Sequence, residues 1–230
     1  ESDFYNGETY IDTMNPEAVA AFLHSTLDRY AEECGDLFGK NILGVFTDEP
    51  HRGALFNGFG ISNDNRARMA PYTANLCAAY AKKYGEELLF PEIYYRKRGQ
   101  TVNETAAKYI DVHDELFTQS FAKQYGDWCR EHGIKFTGHI LHEDNLSIQT
   151  SLSGSMMRFY EYMDYPGIDN LSAHNGCFWA AIQCASVARQ LGKKFVLSEL
   201  YGCTGWDMPL SEYKRIGDWH ALFGINLRCP

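Results

Sequence analysis

The alternation of short apolar runs with longer helix-like segments is the feature of this chain that most restricts its fold. Five runs are predicted to be strands, near residues 42, 136, 168, 195 and 225. Helical patterns lie between them, the longest over residues 105–132. The third run is predicted to be a strand over residues 168–173, and a long loop is predicted over residues 51–71. The first begins at Asn15-Pro16-Glu17, where an N-cap, a proline and an acidic residue follow one another. Strands separated by helices indicate βαβ units and a parallel sheet.

Polar residues follow four of these runs, and their position favours one class of parallel fold. No Gly-rich phosphate-binding turn follows any run, which disfavours a doubly wound nucleotide-binding fold. The active sites of (β/α)8 barrels are built at the C-terminal ends of the strands. The polar groups at these ends are Asp48-Glu49, His139 with His142-Glu143, His174-Asn175, and Glu199 with Tyr201. We predict an α/β fold, a (β/α)8 TIM barrel.

Five strands are too few to close an eight-stranded barrel. The first fifteen residues, with Tyr10-Ile11-Asp12, are typical of a loop that follows an earlier strand. We therefore expect three strands to precede Glu1 in a longer parent chain. Residues 1–230 would then form the C-terminal part of a single catalytic barrel, with strands four to eight, and would pack against the remainder of that barrel.

Composition excludes several partners and suggests a compartment. The net charge is −9 and the pI is near 5.3, without a basic patch, so nucleic acid and anionic membranes are disfavoured. No apolar run approaches the ~18 residues that a membrane span needs. Seven scattered cysteines without a C-x-x-C pair predict free thiols and a cytoplasmic protein. Secretion stays open because the sequence starts at Glu1 rather than Met.

Two carboxyl groups at the predicted strand ends suggest glycoside hydrolysis. That reaction needs one carboxyl group to protonate the leaving oxygen and another to attack the anomeric carbon or activate water. If three strands are missing, Glu49 ends strand four and Glu199 ends strand seven. These strands face one another across a barrel mouth, so both carboxylates can reach one sugar. The 15 Tyr, 14 Phe and 4 Trp mildly favour a carbohydrate ligand, because aromatic rings stack on sugars.

The segment Thr47-Asp48-Glu49-Pro50 carries a resemblance to a known group of enzymes. It is similar to the Asn-Glu-Pro motif of clan A glycoside hydrolases, retaining enzymes whose acid/base Glu ends strand four and whose nucleophilic Glu ends strand seven. The resemblance implies that Glu49 is the acid/base and Glu199 the nucleophile. Asp48 replaces the Asn that is implied to bind the sugar 2-hydroxyl. Its charge would raise the pKa of the neighbouring carboxyl, which suits a general acid.

A wider resemblance covers nearly all 230 residues. Four segments are similar to large bacterial glycosyl hydrolase-like proteins of undefined substrate. They are Tyr-Ile-Asp-x-Met-Asn-Pro-Glu (10–17), Phe-Thr-Asp-Glu-Pro (46–50), Phe-Thr-Gly-His (136–139) and Gly-Ile-Asn-Leu (224–227). The substrate implied is an oligosaccharide or a glycoside.

Other polar and aromatic residues near the predicted strand ends are candidates for binding this substrate. They are Asp48, His139, His142, Glu143, His174, Asn175, Tyr201 and Trp206. Glu143 is also the alternative catalytic carboxyl, because strand five lies between strands four and seven. His139-x-x-His142 is not expected to bind metal, since residues i and i+3 of a strand point to opposite faces. We predict no metal ligand and no cofactor.

Two other functions remain open at this point. The first is a noncatalytic carbohydrate-binding or degenerate barrel. The second is an inverting or metal-assisted hydrolase that uses Asp48, Glu143 and a histidine. A separation of ~5–5.5 Å between the catalytic carboxyl groups would favour retention, and ~6.5–9.5 Å would favour inversion.

Overall fold

The structure, a computed structural model, describes residues 5–53, 70–171 and 177–230. Strands and helices alternate along the described chain. The strands are β1 (Gly44–Thr47), β2 (Lys135–Gly138), β3 (Tyr165–Asp169), β4 (Leu197–Glu199) and β5 (Leu227–Cys229). The α-helices are α1 (Pro16–Cys34), α2 (Leu76–Tyr84), α3 (Phe90–Tyr94), α4 (Glu104–Phe117), α5 (Gln124–Glu131), α6 (Leu146–Leu152), α7 (Met156–Tyr160), α8 (Phe178–Gln190) and α9 (Leu210–Leu222).

The five strands form one parallel sheet in the order β1-β2-β3-β4-β5, which confirms the predicted order and direction. The sheet curls into a half-barrel. Its register aligns the C-terminal ends of the strands: Thr47 pairs with Gly138, and Asp169 pairs with Glu199. Residues that follow these pairs therefore lie at one edge of the sheet.

Helix α1 shows how the local sequence fixes an element. The Asn15 side chain accepts from the backbone N–H of Glu17 at 3.0 Å, which satisfies one of the donors that a helix N-terminus leaves unpaired. Its buried face, Val19, Leu23 and Leu27, joins the main apolar core. The predicted start of this helix is confirmed.

The core lies between the sheet and its helices. Phe136 of β2 and Ile168 of β3 have no exposed surface, and they pack with buried aromatic residues of the helical layer. A second, smaller apolar cluster joins α2, α3 and α4 between β1 and β2. Helices thus pack against the sheet through this apolar core, while polar side chains lie at the edge where the strands end.

Several predicted boundaries shift by a few residues in the structure, and two elements differ more. The predicted single helix over residues 105–132 is divided into α4, a π-helical turn at Thr118–Lys123, and α5. The predicted third strand, 168–173, ends earlier, at Asp169. His174 and Asn175 lie outside the described residues, as does most of the predicted loop after Pro50.

None of the helices described here is long and apolar enough to cross a membrane. All seven cysteines are free thiols.

Candidate active site

A buried histidine joins carboxylates from two strands that are not neighbours in the sheet. His139 follows β2 and has no exposed surface. Its Nε2 lies 2.9 Å from Oε2 of Glu199, at the end of β4, and 3.3 Å from Oδ1 of Asp48, which follows β1. The structure therefore brings together Asp48, His139 and Glu199 at the C-terminal edge of the sheet.

The surroundings of His139 indicate which ring nitrogen carries the proton. Both groups near Nε2 are carboxylate oxygens, which accept hydrogen bonds, so Nε2–H is the donor. Among the described residues, the buried Nδ1 has no hydrogen-bond partner. His139 thus holds the Glu199 carboxylate in a fixed orientation through Nε2–H.

Gly138 explains how His139 reaches this position. Its φ is +126°, a backbone conformation that side chains with a Cβ rarely adopt. A Cβ at position 138 would overlap the carbonyl oxygen of Thr47 and lie 2.7 Å from the Thr47 nitrogen. The close approach of β1 to β2, immediately before Asp48 and His139, therefore requires glycine.

Asp169 is a fourth member of the cluster, and sequence reasoning missed it. It is the last residue of β3 and pairs in register with Glu199. Burial raises its pKa to about 6, and the charges of Glu199, Glu49 and Asp48 act in the same direction, whereas that of His139 opposes them. Its Oδ1 is buried and has no hydrogen-bond partner in the described part of the chain. The available signal was an acid directly after the apolar run of β3.

Glu143 lies behind Asp169 and is 3% exposed. Its Oε1 accepts from the backbone N–H of Asp169 at 3.3 Å and from the Tyr160 hydroxyl at 3.5 Å. Burial raises the pKa of Glu143 well above its ordinary value, which favours the neutral form of this carboxyl. Glu143 thus holds the backbone of Asp169 through this hydrogen bond. Its contact with a substrate stays a prediction.

Glu49 differs from its neighbours in exposure and backbone. Its side chain is exposed, and its φ is +48°, in the left-handed region that is strained for residues other than glycine. The charge of Glu49 raises the pKa of both Asp169 and Tyr10, which places Glu49 within electrostatic reach of these two side chains. Strained residues of this kind concentrate at functional sites.

The other predicted binding residues contact different partners. His142 has a φ of +56°, and its Nδ1 lies 3.5 Å from Oδ2 of Asp144. The Tyr201 ring packs on that of Tyr213, with centroids 4.6 Å apart. Trp206 is fully exposed in the loop that follows β4. Their roles in binding stay predictions.

Asp48, His139 and Glu199 also have the composition of a metal site, since one ligand atom from each lies within 4.8 Å of the others. A metal on Nε2 would require the proton on Nδ1, where ligating histidines usually donate to an acceptor. In the structure described here, Nδ1 of His139 has no such acceptor. Because Nδ1 is unpartnered whichever ring nitrogen carries the proton, this contact does not separate a metal ligand from a hydrogen-bond donor, and the absence of a metal ligand stays a prediction.

Comparison with known proteins supports the fold. No protein-family model and no curated protein matches the chain. Among solved structures, it is similar to a rhamnosidase from Novosphingobium sp. PP1Y, with a TM-score of 0.71 and 18% sequence identity over 95% of this chain. The chain spans 20% of the length of that rhamnosidase. At this identity, the similarity shows a shared fold. The solved protein that shares it is named a rhamnosidase.

Proposed function

We propose that the protein hydrolyses O-glycosidic bonds by a two-carboxylate mechanism, with Glu199 as nucleophile and Glu49 as acid/base. The observation that carries the proposal is the position of His139, whose buried Nε2 lies 2.9 Å from Glu199 and 3.3 Å from Asp48. Acids from separate strands thus converge on one edge of a parallel sheet, where barrel enzymes have their catalytic residues.

In this mechanism the exposed carboxyl and the oriented carboxylate have different tasks. Glu199 attacks the anomeric carbon as the bond to the leaving oxygen breaks, and Glu49 gives that oxygen its proton. Glu49 then takes a proton from water, whose oxygen attacks the same carbon and releases Glu199. His139 orients Glu199 through Nε2–H. The reaction consumes one water and needs no cofactor.

Asp169 extends the site toward the centre of the sheet. Because its pKa is raised to about 6, this carboxyl is mostly ionised at pH 7 and becomes a hydrogen-bond donor as the pH falls through about 6. At pH 7 it can accept a hydrogen bond from a sugar hydroxyl bound next to Glu199. We assign Asp169 to binding the sugar whose anomeric carbon Glu199 attacks.

A rhamnoside is the first substrate class to test, since the structural neighbour is named a rhamnosidase. The assay measures release of p-nitrophenol from a panel of p-nitrophenyl glycosides that includes the α-L-rhamnoside. We expect Glu199→Gln to abolish turnover while circular dichroism stays unchanged, because Gln keeps the shape and removes the nucleophile. Glu131→Gln is the matched control, on an exposed helical glutamate. Full activity of Glu199→Gln would contradict the assignment.

Glu49→Gln tests the acid/base role on the same panel. General acid catalysis contributes roughly 10²–10⁴-fold, so substrates with poor leaving groups should slow by that factor. Activated aryl glycosides need less protonation and should slow much less. An equal loss for all leaving groups would contradict the role of Glu49 as acid.

The configuration of the first product separates the proposed mechanism from the alternatives. Proton NMR of the initial product should show retention at the anomeric carbon. Inversion would make Glu199 the base that activates water. Binding of sugars without turnover by the unmodified protein would favour a noncatalytic barrel.

A further inference from the structure

A cleft of about 550 Å³ opens beside Glu49 and is not used by the chemistry described above. Its walls come from three segments: residues 10–14, 51–53 and 70–72. His51 lies two residues after Glu49, and the charge of Glu49 raises the pKa of Tyr10. The cleft is therefore adjacent to the proposed acid/base.

Tyr10 and His51 form the aromatic wall of this cleft. Their rings are parallel within 6°, with centroids 4.2 Å apart. Thr13 Oγ1 donates to the carbonyl oxygen of His51 at 2.7 Å, which ties the segment of Tyr10 to the chain after β1. The wall is thus pre-formed across two distant parts of the sequence.

The polar atoms of the wall suit neutral hydroxyl groups. Burial raises the pKa of Tyr10 to about 12, so its hydroxyl stays protonated at neutral pH. Burial lowers the pKa of His51, and its Nδ1 accepts from the backbone N–H of Gly53 at 3.1 Å, which leaves the proton of the neutral ring on Nε2. Asp12 adds acceptor oxygens, one of which accepts from the Met14 N–H at 3.1 Å.

Arg52 argues against an anionic ligand. Of the described residues that line the cleft, it is the one with a permanent positive charge. Its side chain is 4% exposed, its Nη2 donates to the carbonyl oxygen of Thr150 at 2.5 Å, and the charge of Asp114 acts on it. The guanidinium of Arg52 therefore points into the protein interior, and no lysine is among the described residues that line the cleft.

From these contacts we infer that the cleft of Tyr10, Asp12 and His51 binds the leaving group of the substrate as a neutral saccharide unit. This inference rests on the proposed function, because it takes Glu49 as the acid. The leaving oxygen departs on the side of the acid/base and away from the nucleophile. Residues 51–53, which follow Glu49 along the chain, line the cleft, as does Tyr10, on which the charge of Glu49 acts. The cleft also gives a role to the Tyr-Ile-Asp segment, which the catalytic pair does not use.

The test compares two substrates that share one glycone and differ in leaving group: p-nitrophenyl α-L-rhamnoside and α-L-rhamnosyl-(1→6)-glucose. Tyr10→Ala should lower kcat/KM for the disaccharide by about tenfold, the effect of losing one aromatic contact, and lower it less for the aryl glycoside. Tyr95→Ala, on an exposed tyrosine of the helical segment between β1 and β2, is the matched control and should leave both values unchanged. An equal loss for both substrates, or no loss for the disaccharide, would overturn the inference.

A binding measurement keeps this test independent of turnover. In the Glu199→Gln protein, saturation-transfer NMR should show contacts to the glucose protons of the disaccharide, and Tyr10→Ala should remove them. Absence of these contacts overturns the leaving-group site even if aryl glycosides are hydrolysed. Contacts without any hydrolysis by the unmodified protein would contradict the proposed function alone.

The charge class of the ligand is tested with α-L-rhamnosyl-glucuronate. We expect it to bind about tenfold more weakly than the neutral disaccharide, because Arg52 is turned inward and Asp12 lines the wall. Equal or tighter binding of the glucuronate would show that Arg52 reaches the ligand. It would overturn the inference that the cleft binds a neutral saccharide unit.

Discussion

At the scale of single residues, the candidate site gathers four carboxyl groups around one buried imidazole. Asp169 is acted on by the charges of Asp48, Glu49 and Glu199, and by that of His139 in the opposite direction. Such a crowded set cannot be fully ionised without cost, because like charges at short distance oppose ionisation. The raised pKa of Asp169 is therefore a property of its burial and of the whole cluster.

Asp169→Asn should stabilise the fold at neutral pH. The folded-state pKa of about 6 lies above the ordinary value of 3.8, so the folded protein loses stability as the pH rises through this window. Asn cannot ionise. The free energy of unfolding should therefore increase by roughly 1–2 kcal/mol at pH 7, after allowance for partial exposure, and stay unchanged near pH 4.

Urea denaturation at the two pH values measures this change. Asp36→Asn, at an exposed aspartate, is the control and should show no pH-dependent gain. Glycosidase activity should fall in Asp169→Asn although the protein is more stable, which is the pattern of a carboxyl kept for function. Equal stability of the two proteins at pH 7 would contradict the assignment.

Strand β2 and the loop after it provide the prediction at the scale of elements. Gly138 has a φ of +126° and lies where a Cβ would overlap the Thr47 carbonyl. Gly138→Ala should cost roughly 3–5 kcal/mol, from backbone strain and from separation of β1 and β2. It should also displace His139 from Glu199.

The matched control for this change is Gly133→Ala, two residues before the same strand. Gly133 also has a positive φ, +69°, but a Cβ there would meet nothing within 4 Å. It should cost roughly 1–2 kcal/mol and leave activity intact. Thermal unfolding and aryl glycoside hydrolysis measure both effects. Similar losses in the two variants would show that Gly138 is needed for its φ alone.

The order and direction of the strands were predictable from the sequence, whereas the π-helical turn was not. Apolar runs separated by helical periods predicted five parallel strands in order, because a strand–helix–strand alternation is typical of parallel βαβ units. The same periodicity cannot reveal the π-helical turn at Thr118–Lys123, because the buried residues Phe117, Phe121, Tyr125 and Trp128 follow one another at the spacings of three and four residues that an α-helix also shows.

The site was predicted where histidine or carboxyl side chains stand out near the ends of apolar runs, and it was missed at Asp169. Asp48, His139 and Glu199 follow runs whose ends the sequence marks with polar residues, and the structure brings them together. The third strand was expected to run on to residue 173, so Asp169 was placed inside it rather than at its end. The left-handed backbone of Glu49 depends on tertiary packing and has no local signal.

At the scale of the whole molecule, the half-barrel has two open edges. Within the described residues, β1 pairs with β2 alone and β5 pairs with β4 alone. Residues 44–46 of β1 line an apolar groove, whose lining also includes Leu27, Phe38, Ile42 and Trp128. Leu43, which precedes β1, is 64% exposed. We propose that further strands and helices of a parent barrel cover this edge.

If that proposal is right, the 230-residue chain alone should self-associate, because an uncovered strand edge is a template for pairing with another chain. Leu43→Lys places a charge next to β1 and should reduce the association, since edge lysines oppose strand pairing. Leu89→Lys, at an exposed leucine before α3, is the control and should leave it unchanged. Size-exclusion chromatography with light scattering over a range of concentrations measures the mass. A monomer at every concentration would contradict the proposal that the edge of β1 is open. Equal effects of both lysines would also contradict it, because only the lysine next to β1 should oppose pairing of the backbone groups of that strand with another chain.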